Sequence, residues 1–343
     1  MRDGDSSGSA ARWRPTASPR MLRARAALLA QLRMFFAQRG VLEVETPCLS
    51  RAVTADPQLH NPVVQLDAPR APRAADGQPL PLYLQTSPEA HMKRLLAAGS
   101  GPIYQIGRAF RDGEAGALHN PEFTMLEWYR PGWNHRALMD EVDALAQETL
   151  GLGPARRVDY GRAFADAVGL DPHVASTAAL ADAARTHGVD AVGLDAVDDD
   201  DPALRATWRQ LLWADRVEPR LGRDADGAAQ AWLVEGFPAD EEALARLRDR
   251  GDGVRIASRF ELYADGVELA NGYDELIDAD EQRRRFAADA ARTGRPVDDA
   301  LLAALDAGLP VCAGVALGVD RLLMVRHGAT SIDAVLTFPI DRA

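Results

Sequence analysis

The sequence predicts an α+β fold, an antiparallel β-sheet flanked by helices, and three observations carry that reading. Two β-type arms enclose a glycine-bearing loop between Phe110 and Arg130. Two strand-like runs, Ser258 to Ala264 and Val267 to Tyr273, meet at Asp265-Gly266, the strongest short hairpin signal. Between these hairpins and around them, several stretches repeat their apolar residues at helical spacing.

A chain of 343 residues with 47% hydrophobic content can bury a large core, as one large domain or two ordinary ones. Its formal net charge of -12 excludes a broad basic field for a nucleic-acid backbone or an anionic membrane, although Arg20, Arg23, Arg25, Arg33 and Arg39 cluster early. Cys48 and Cys312 stand far apart with no metal-ligand spacing, which predicts reduced thiols and a cytoplasmic protein. The first twenty residues are polar and rich in Gly, Ser, Pro and Arg; they read as a disordered tail rather than a secretory signal. No apolar run is long enough to span a bilayer, so no membrane partner is expected.

Taken in order, Met21 to Arg39 reads as an amphipathic helix stopped by Gly40. Val41 to Thr46 alternates as a two-faced strand that Pro47 ends. Ala68 to Pro81 is a loop, and Tyr83 to Thr86 a short strand. Ser87 then caps a helix with Pro88 at its first position; Ser87 and Glu89 are explained equally well as a cap and a first-turn acid or as ligand contacts. Arg136 to Leu150 is a second amphipathic helix. Residues 151–250, rich in Ala and Asp and holding the acidic run Asp198 to Asp201, read as a helical acidic insertion without visible chemistry.

In the second hairpin, Glu268 and Glu275 lie seven residues apart and would face opposite sides of an uninterrupted strand. A bulge at Asn271-Gly272 would bring both carboxylates to one side. The last segment, Gly314 to Met324, reads as strand, glycine turn and helix. Arg321 in that helix's first turn opposes the dipole, so it is either an inconsequential exposed Arg or the partner of an anion, with Gly318 allowing close approach.

These pieces suit one chemistry. Arg111 on the first arm, with Asn120, Glu122 and Phe123 on the return arm, fits a ligand with an anion, polar edges and a flat ring, as a nucleotide has. Adding Arg321 and a Glu268/Glu275 pair able to hold a hard cation gives an adenylation set. In that reaction a substrate carboxylate, already ionised with a pKa of about 3.3–3.7, attacks the α-phosphorus of ATP without a general base. Catalysis rests on positioning and charge stabilisation by Arg and Mg²⁺. A Walker loop, a dinucleotide fingerprint, a nucleophile elbow and zinc spacing are all missing, and a glycosidase pair at Glu268 and Glu275 lacks a sugar platform.

Gly40 to Pro47, Phe110-Arg111 through Phe123, and Gly314 to Arg321 resemble motifs 1, 2 and 3 of class II aminoacyl-tRNA synthetases. Thr86-Ser-Pro-Glu89, His119 through Tyr129 and Glu268-Leu-Ala-Asn-Gly272 resemble the lysyl subgroup. The resemblance runs from about Met21 to Ala343 and implies the class II catalytic fold over 21–343, with 1–20 as the tail. Lysyl-tRNA synthetases carry an anticodon-binding domain before motif 1, where this chain has only those twenty residues, so no tRNA anticodon recognition is expected. Glu-Trp-Tyr-Arg-Pro after motif 2 and Ala316 inside motif 3 resemble the elongation factor P (R)-β-lysine ligases, lysyl-tRNA synthetase paralogues that activate β-lysine with ATP and transfer it to a lysine ε-amine of elongation factor P.

Carried onto this sequence, the resemblance implies that Arg111 contacts the α-phosphate, Asn120 helps hold ATP, Phe123 stacks on adenine and Arg321 lies against the nucleotide beside Gly318. Asp112, Gly113, Glu114, Glu268 and Leu269 complete the ATP set, Glu268 and Glu275 hold Mg²⁺, and Arg111 and Arg321 are the catalytic pair. Ser87, Pro88, Glu89, Tyr129, Glu275 and Ala316 line the pocket for β-lysine or lysine. Ala316 stands where synthetases commonly have Gly, and its methyl is expected to reshape the pocket toward the β-amino isomer. Motif 2 departs from the usual pattern: Gly113 replaces the Glu two residues after the Arg, leaving Glu114 as the candidate for its adenine-binding role, and Ala117-Leu118 replace a basic residue. A homodimer paired through Gly40 to Pro47 is implied, with elongation factor P as acceptor. The alternatives are a truncated lysyl-tRNA-synthetase-like enzyme serving another acceptor, and a non-catalytic regulatory paralogue, against which Arg111, Glu268, Glu275 and Arg321 all speak.

Overall fold

The structure is a computed structural model, and it describes residues 13–53, 59–191, 194, 198–242, 244–294 and 296–343. The chain divides into two compact units that do not follow sequence order: Met1–Trp128, Arg283–Leu309 and Leu317–Ala343 form the first, and Tyr129–Gln282 with Pro310–Ala316 the second.

In the first unit the long helix is Pro19–Gln38, two residues earlier than its periodicity predicts. Ser18 caps it, its Oγ accepting the Met21 N–H at 3.2 Å, and Pro19 occupies the first position, where its missing N–H costs nothing. Of the tail expected over residues 1–20, residues 13–20 are ordered. Residues 1–12 lie outside the described residues, but Thr16 and Ala17 donate backbone hydrogen bonds to Thr337 and Leu336, and Ala17 is buried. The polar composition that suggested disorder includes a helix start. Leu28, Leu32, Phe35 and Phe36 form the buried stripe of the helix. Phe36 stacks on Tyr104 at 4.4 Å and meets Trp128 edge-on at 5.2 Å.

The predicted strand Val41 to Thr46 contracts to Leu42–Glu43, paired in parallel with Ile103 and Tyr104, with Val44 N–H adding one more bond to Tyr104 O at 2.8 Å. Ile103–Phe110 lies between it and the return arm Glu122–Pro131 in one sheet. A small three-stranded sheet places Leu82–Leu84 between Leu49–Ser50 and Val63–Val64, and helix Glu89–Ala97 packs against helix Asp299–Gly308.

In the second unit the sheet order is Cys312–Gly318, Val267–Asp274, Arg259–Ala264, Trp232–Glu235 and Arg156–Asp159. The last two strands are parallel, so the edge departs from the antiparallel expectation. They also correct the reading of residues 151–250 as helical. Helices Tyr160–Val168, Thr177–His187 and Pro202–Leu212 are there, yet Arg156–Asp159 and Trp232–Glu235 belong to the sheet. Four-residue strands are too short to reveal an alternation. Asp201 ends the acidic run as the cap of Pro202–Leu212, accepting from Ala203 and Leu204. Tyr160, Phe164, Trp213 and Phe237 centre a buried cluster, with Tyr160 and Trp213 stacked at 4.0 Å.

The Asp265-Gly266 hairpin forms as predicted, with φ of 55° and 75° at its two central residues. The bulge does not lie at Asn271-Gly272. Leu262 pairs with Ala270 and Tyr263 with Glu268, so Leu269 is the extra residue. Gly272 serves close packing instead: a Cβ there would stand 2.5 Å from Phe260 Cζ. Among the described residues no helix is long and apolar enough to cross a membrane.

Candidate active site

In the first unit, the loop joining Ile103–Phe110 to Glu122–Pro131 is pinned by its backbone. Arg111 N–H donates to Pro121 O at 2.9 Å and Asp112 N–H to His60 O at 2.8 Å. Gly113 turns the chain at φ +81°, a conformation that strains any side chain with a Cβ, which suits glycine at this position rather than the Glu of the usual motif. Arg111 stands over Phe123, guanidinium carbon to ring centroid 5.2 Å, and its Nε is buried without a hydrogen-bond partner.

Glu114 lies 3.7 Å from Arg111 and 3.9 Å from His119. Arg321, from helix Val319–His327, donates to His119 Nε2 and, through its Nε, to Leu118 O at 3.3 Å. Guanidinium can only donate, so the imidazole nitrogen it meets is the acceptor. Arg111 on the loop and Arg321 beside it are permanent cations whose guanidinium forks suit phosphate, and the loop itself also carries the carboxylates Asp112 and Glu114. Asn120 is buried and braced at both ends of its amide: Oδ1 accepts Ile340 N–H at 3.0 Å, and Nδ2 donates to Glu122 O at 2.6 Å. Asp320, beside Arg321, is structural; it is buried, pairs with Arg25 and accepts the Thr124 N–H at 2.6 Å.

Ser87 does more than cap. Its Oγ accepts the Glu89 N–H at 3.1 Å and donates to Glu127 Oε2 at 2.7 Å, while Pro88 occupies the cap position itself. Glu127 is buried and shares a face of the return arm with Phe123, four residues before it. Glu89 Oε1 takes the Nζ of fully buried Lys93 at 2.6 Å, one helical turn on. Sequence reasoning missed both Glu127 and Lys93. The i,i+4 spacing of Glu89 and Lys93 was a legible signal; nothing local marked Glu127.

In the second unit the bulge at Leu269 resets the alternation of its strand. Glu268 pairs with Tyr263, Asn271 with Glu261 and Tyr273 with Arg259, which places Glu268 on the face of Asn271 and Tyr273. The break in alternation expected at Asn271-Gly272 lies at Leu269 instead. Across the ladder on the same face as Glu268 lies a network not marked in the sequence: Arg259 pairs with Glu261, which also accepts from the Tyr263 hydroxyl, and Arg259 stands over Phe237 at 4.5 Å. Burial pushes the Glu261 carboxyl up, Arg259 opposes it, and Glu268 adds to it.

Glu275 is buried, its N–H donating to Cys312 O at 3.0 Å. Tyr129 and Glu275 both crowd Gly314: a Cβ there would stand 2.3 Å from Tyr129 Cε1 and 2.5 Å from Glu275 Oε1. Ala316, two residues along the same strand, shares that face. Leu269 is buried. Gly318, at the cap of helix Val319–His327, is not crowded; its nearest neighbour would be Arg321, at 3.8 Å.

The structure therefore brings Arg111, Glu114, Phe123 and Arg321 to one loop region of the first unit, sets Ser87 and Glu89 beside Glu127, and groups Tyr129, Glu275 and Ala316 in the second. Asp112 and Gly113 shape the loop, and Asn120 braces it.

A profile for tRNA synthetases class II (D, K and N) matches residues 9–342. The chain is 47% identical over 337 residues to the elongation factor P–(R)-β-lysine ligase of Vibrio cholerae, covering 96% of this chain and 98% of that protein. It is 46% identical over 339 residues to the ligase of the same name from Klebsiella pneumoniae, covering 97% of this chain and 99% of that one. The Yersinia enterocolitica ligase is 47% identical over 339 residues, with the same coverage.

Proposed function

From its membership of the class II aminoacyl-tRNA synthetase family, to which the chain belongs along nearly its whole length, we infer that it is an ATP-dependent ligase that adenylates (R)-β-lysine and transfers it to the ε-amine of a lysine on elongation factor P. The near-full-length likeness to ligases of that name carries the reading.

The roles of the residues follow from their chemistry. Arg111, with a buried Nε that has no hydrogen-bond partner, binds the α-phosphate, and Phe123 beside it offers a ring to adenine. Arg321 adds a second cation for phosphate charge, with Gly318 open beside it. Asp112, Gly113 and Asn120 give the loop its shape, and Glu114 faces its cations. Oxygen donors at Glu268 and Glu275 fit Mg²⁺, which takes one or two carboxylates and completes its shell with phosphate and water. When bound, the ion neutralises phosphate charge. For a substrate with two ammonium groups, the residues assigned are Ser87, Pro88 and Glu89 in the first unit and Tyr129, Glu275 and Ala316 in the second.

In the first step a carboxylate oxygen of β-lysine bonds to the α-phosphorus and the bond to pyrophosphate breaks. In the second, a neutral lysine Nζ of the acceptor attacks the acyl carbon, AMP departs with the bonding pair, and the amine proton passes to solvent. That amine must shed a proton held with a pKa of about 10.4. The chain acts as a homodimer whose seam is the Gly40 to Pro47 segment; Leu42, 56% exposed, and Met34, 56% exposed, are the apolar residues to cover there. A translation-factor acceptor and two free cysteines suit the cytoplasm.

Labelled β-lysine, ATP and Mg²⁺ incubated with elongation factor P or with tRNA test the reading. Label in the protein supports it; label in tRNA alone, or no pyrophosphate exchange, overturns it.

A further inference from the structure

Where the strand Val267–Asp274 ends, in the second unit, a buried histidine outside the sets above joins two carboxylates. His135 opens helix His135–Leu150 and is 5% exposed. Its backbone N–H donates to Asp274 Oδ1 at 2.6 Å, its Nδ1 lies 3.1 Å from Asp274 Oδ2, and its Nε2 lies 3.3 Å from Glu235 Oε2. Both ring nitrogens face carboxylate oxygens, which only accept while ionised. A neutral imidazole has one N–H, so its other nitrogen would set a lone pair against an oxygen lone pair; imidazolium satisfies both contacts.

The neighbouring charges agree. Glu235, on Trp232–Glu235, also takes Arg136 at 3.2 Å from the helix itself and Arg248 at 3.4 Å from Leu247–Asp249. The His135 hydrogen bond, reinforced by Arg136, holds the Glu235 carboxyl down at about 2, so it is ionised near neutral pH. The strand Arg259–Ala264 also packs on the helix, and its Arg259 and Glu261 pair with each other. Burial pulls His135 down, but the hydrogen bonds and charges of Asp274 and Glu235 outweigh it and leave its pKa above the usual value.

Asp274 directly precedes Glu275. Its N–H donates to Ser258 O at 2.8 Å, its carbonyl accepts the Arg246 N–H at 2.9 Å, and the next N–H goes to Cys312 O at 3.0 Å. We propose that His135 is a positioning residue: as an imidazolium clamping Asp274 to Glu235, it fixes the strand end that sets the Glu275 carboxylate beside Tyr129 for a substrate ammonium. The role rests on the assignment of Glu275 to the substrate given above. His135 itself touches no substrate.

The test joins a structural and a kinetic measurement on the whole protein. NMR titration of the wild-type ring, assigned by the signal missing from His135→Gln, is expected to show imidazolium persisting above pH 6.5. In pyrophosphate exchange the KM for β-lysine should rise about tenfold as pH passes the midpoint seen by NMR, and rise more than the KM for ATP. His135→Gln should hold a raised KM that no longer follows that midpoint, with kcat changed little. A ring that titrates at or below pH 6.5, or a variant that keeps the wild-type KM profile, overturns the proposal. Should the variant fail to fold, the His135 signal is assigned instead by its shift in Glu235→Gln, which removes the carboxylate 3.3 Å from its Nε2, and disagreement between the wild-type midpoint and the KM profile overturns the proposal. No exchange with β-lysine at any pH would instead overturn the substrate assignment and the positioning role with it, while the NMR midpoint still reports on the clamp.

Discussion

Gly314→Ala is the sharpest probe of the pocket assigned to the substrate. The added methyl carbon would stand 2.3 Å from Tyr129 Cε1, 2.5 Å from Tyr129 Cδ1 and 2.5 Å from Glu275 Oε1. Carbon atoms rest at about 3.5–4.0 Å, so the shortfall exceeds roughly 1 Å. Tyr129 is 2% exposed and Glu275 1% exposed, so neither can swing into solvent to make room. Overpacking of this kind costs about 1–3 kcal/mol, and if the cost falls on the pocket it raises the KM for β-lysine about 5- to 150-fold. Pyrophosphate exchange gives the KM values for β-lysine and ATP, and thermal melting gives stability. Gly272→Ala is the control: its methyl meets Phe260 at 2.5 Å and Val315 at 2.9 Å, residues given no substrate role, so it should lower Tm and leave the β-lysine KM near wild type. A Gly314→Ala enzyme with wild-type KM and Tm would refute both the crowding and the pocket.

Glu114→Gln removes the carboxylate that lies 3.7 Å from Arg111, so the KM for ATP should fall about threefold as phosphate loses its competitor; a rise would favour the adenine-binding role instead, and no change would remove Glu114 from the site. Ala316→Gly should move the ratio of kcat/KM for α- over β-lysine upward by about tenfold, the scale of one methyl in a pocket, and an unmoved ratio would sink that reading. Glu235 has a folded pKa of about 2 against an ordinary 4.5, so its contribution to stability is complete above pH 4.5 and lost as pH falls toward 2. Urea midpoints measured down that range should fall less steeply for Glu235→Gln than for wild type; parallel curves would show that Glu235 is not depressed.

The hairpins and main helices were legible because their signals are local. Asp265-Gly266 needs only two residues that tolerate positive φ, and Pro19–Gln38 only its apolar stripe and stop. The start of that helix was missed although Ser18-Pro19 is itself a local signal, because the polar composition around it outweighed a two-residue cap. Arg156–Asp159 could not be read at all: its residues gain a strand conformation only by pairing with Trp232–Glu235, some seventy positions on, and nothing in four mostly polar residues announces that partner.

The same distinction separates the chemistry of the site from its geometry. Arg111, Phe123, Glu268, Glu275 and Arg321 could be nominated from sequence because a cation, a ring or a carboxylate is needed whatever surrounds it. The groups that aim them could not, since their roles are relations rather than properties. Gly318 was singled out for close approach, yet its nearest would-be neighbour is 3.8 Å away, whereas Gly314, unremarked, lies against Tyr129 and Glu275. Gly272 was given the bulge that Leu269 makes, because a glycine in a strand signals either a bulge or a close neighbour, and only Phe260 across the ladder decides which. One displaced residue reverses every side chain before it, so the bulge at Leu269 is what puts Glu268 on the face of Asn271 and Tyr273. Shifting it by an even number of positions within the stretch between them would preserve that outcome, and so would shifting it by an odd number; moving it outside that stretch would not. The parity of Glu268 relative to Asn271 and Tyr273 therefore depends on one bulge falling between them, whichever residue makes it.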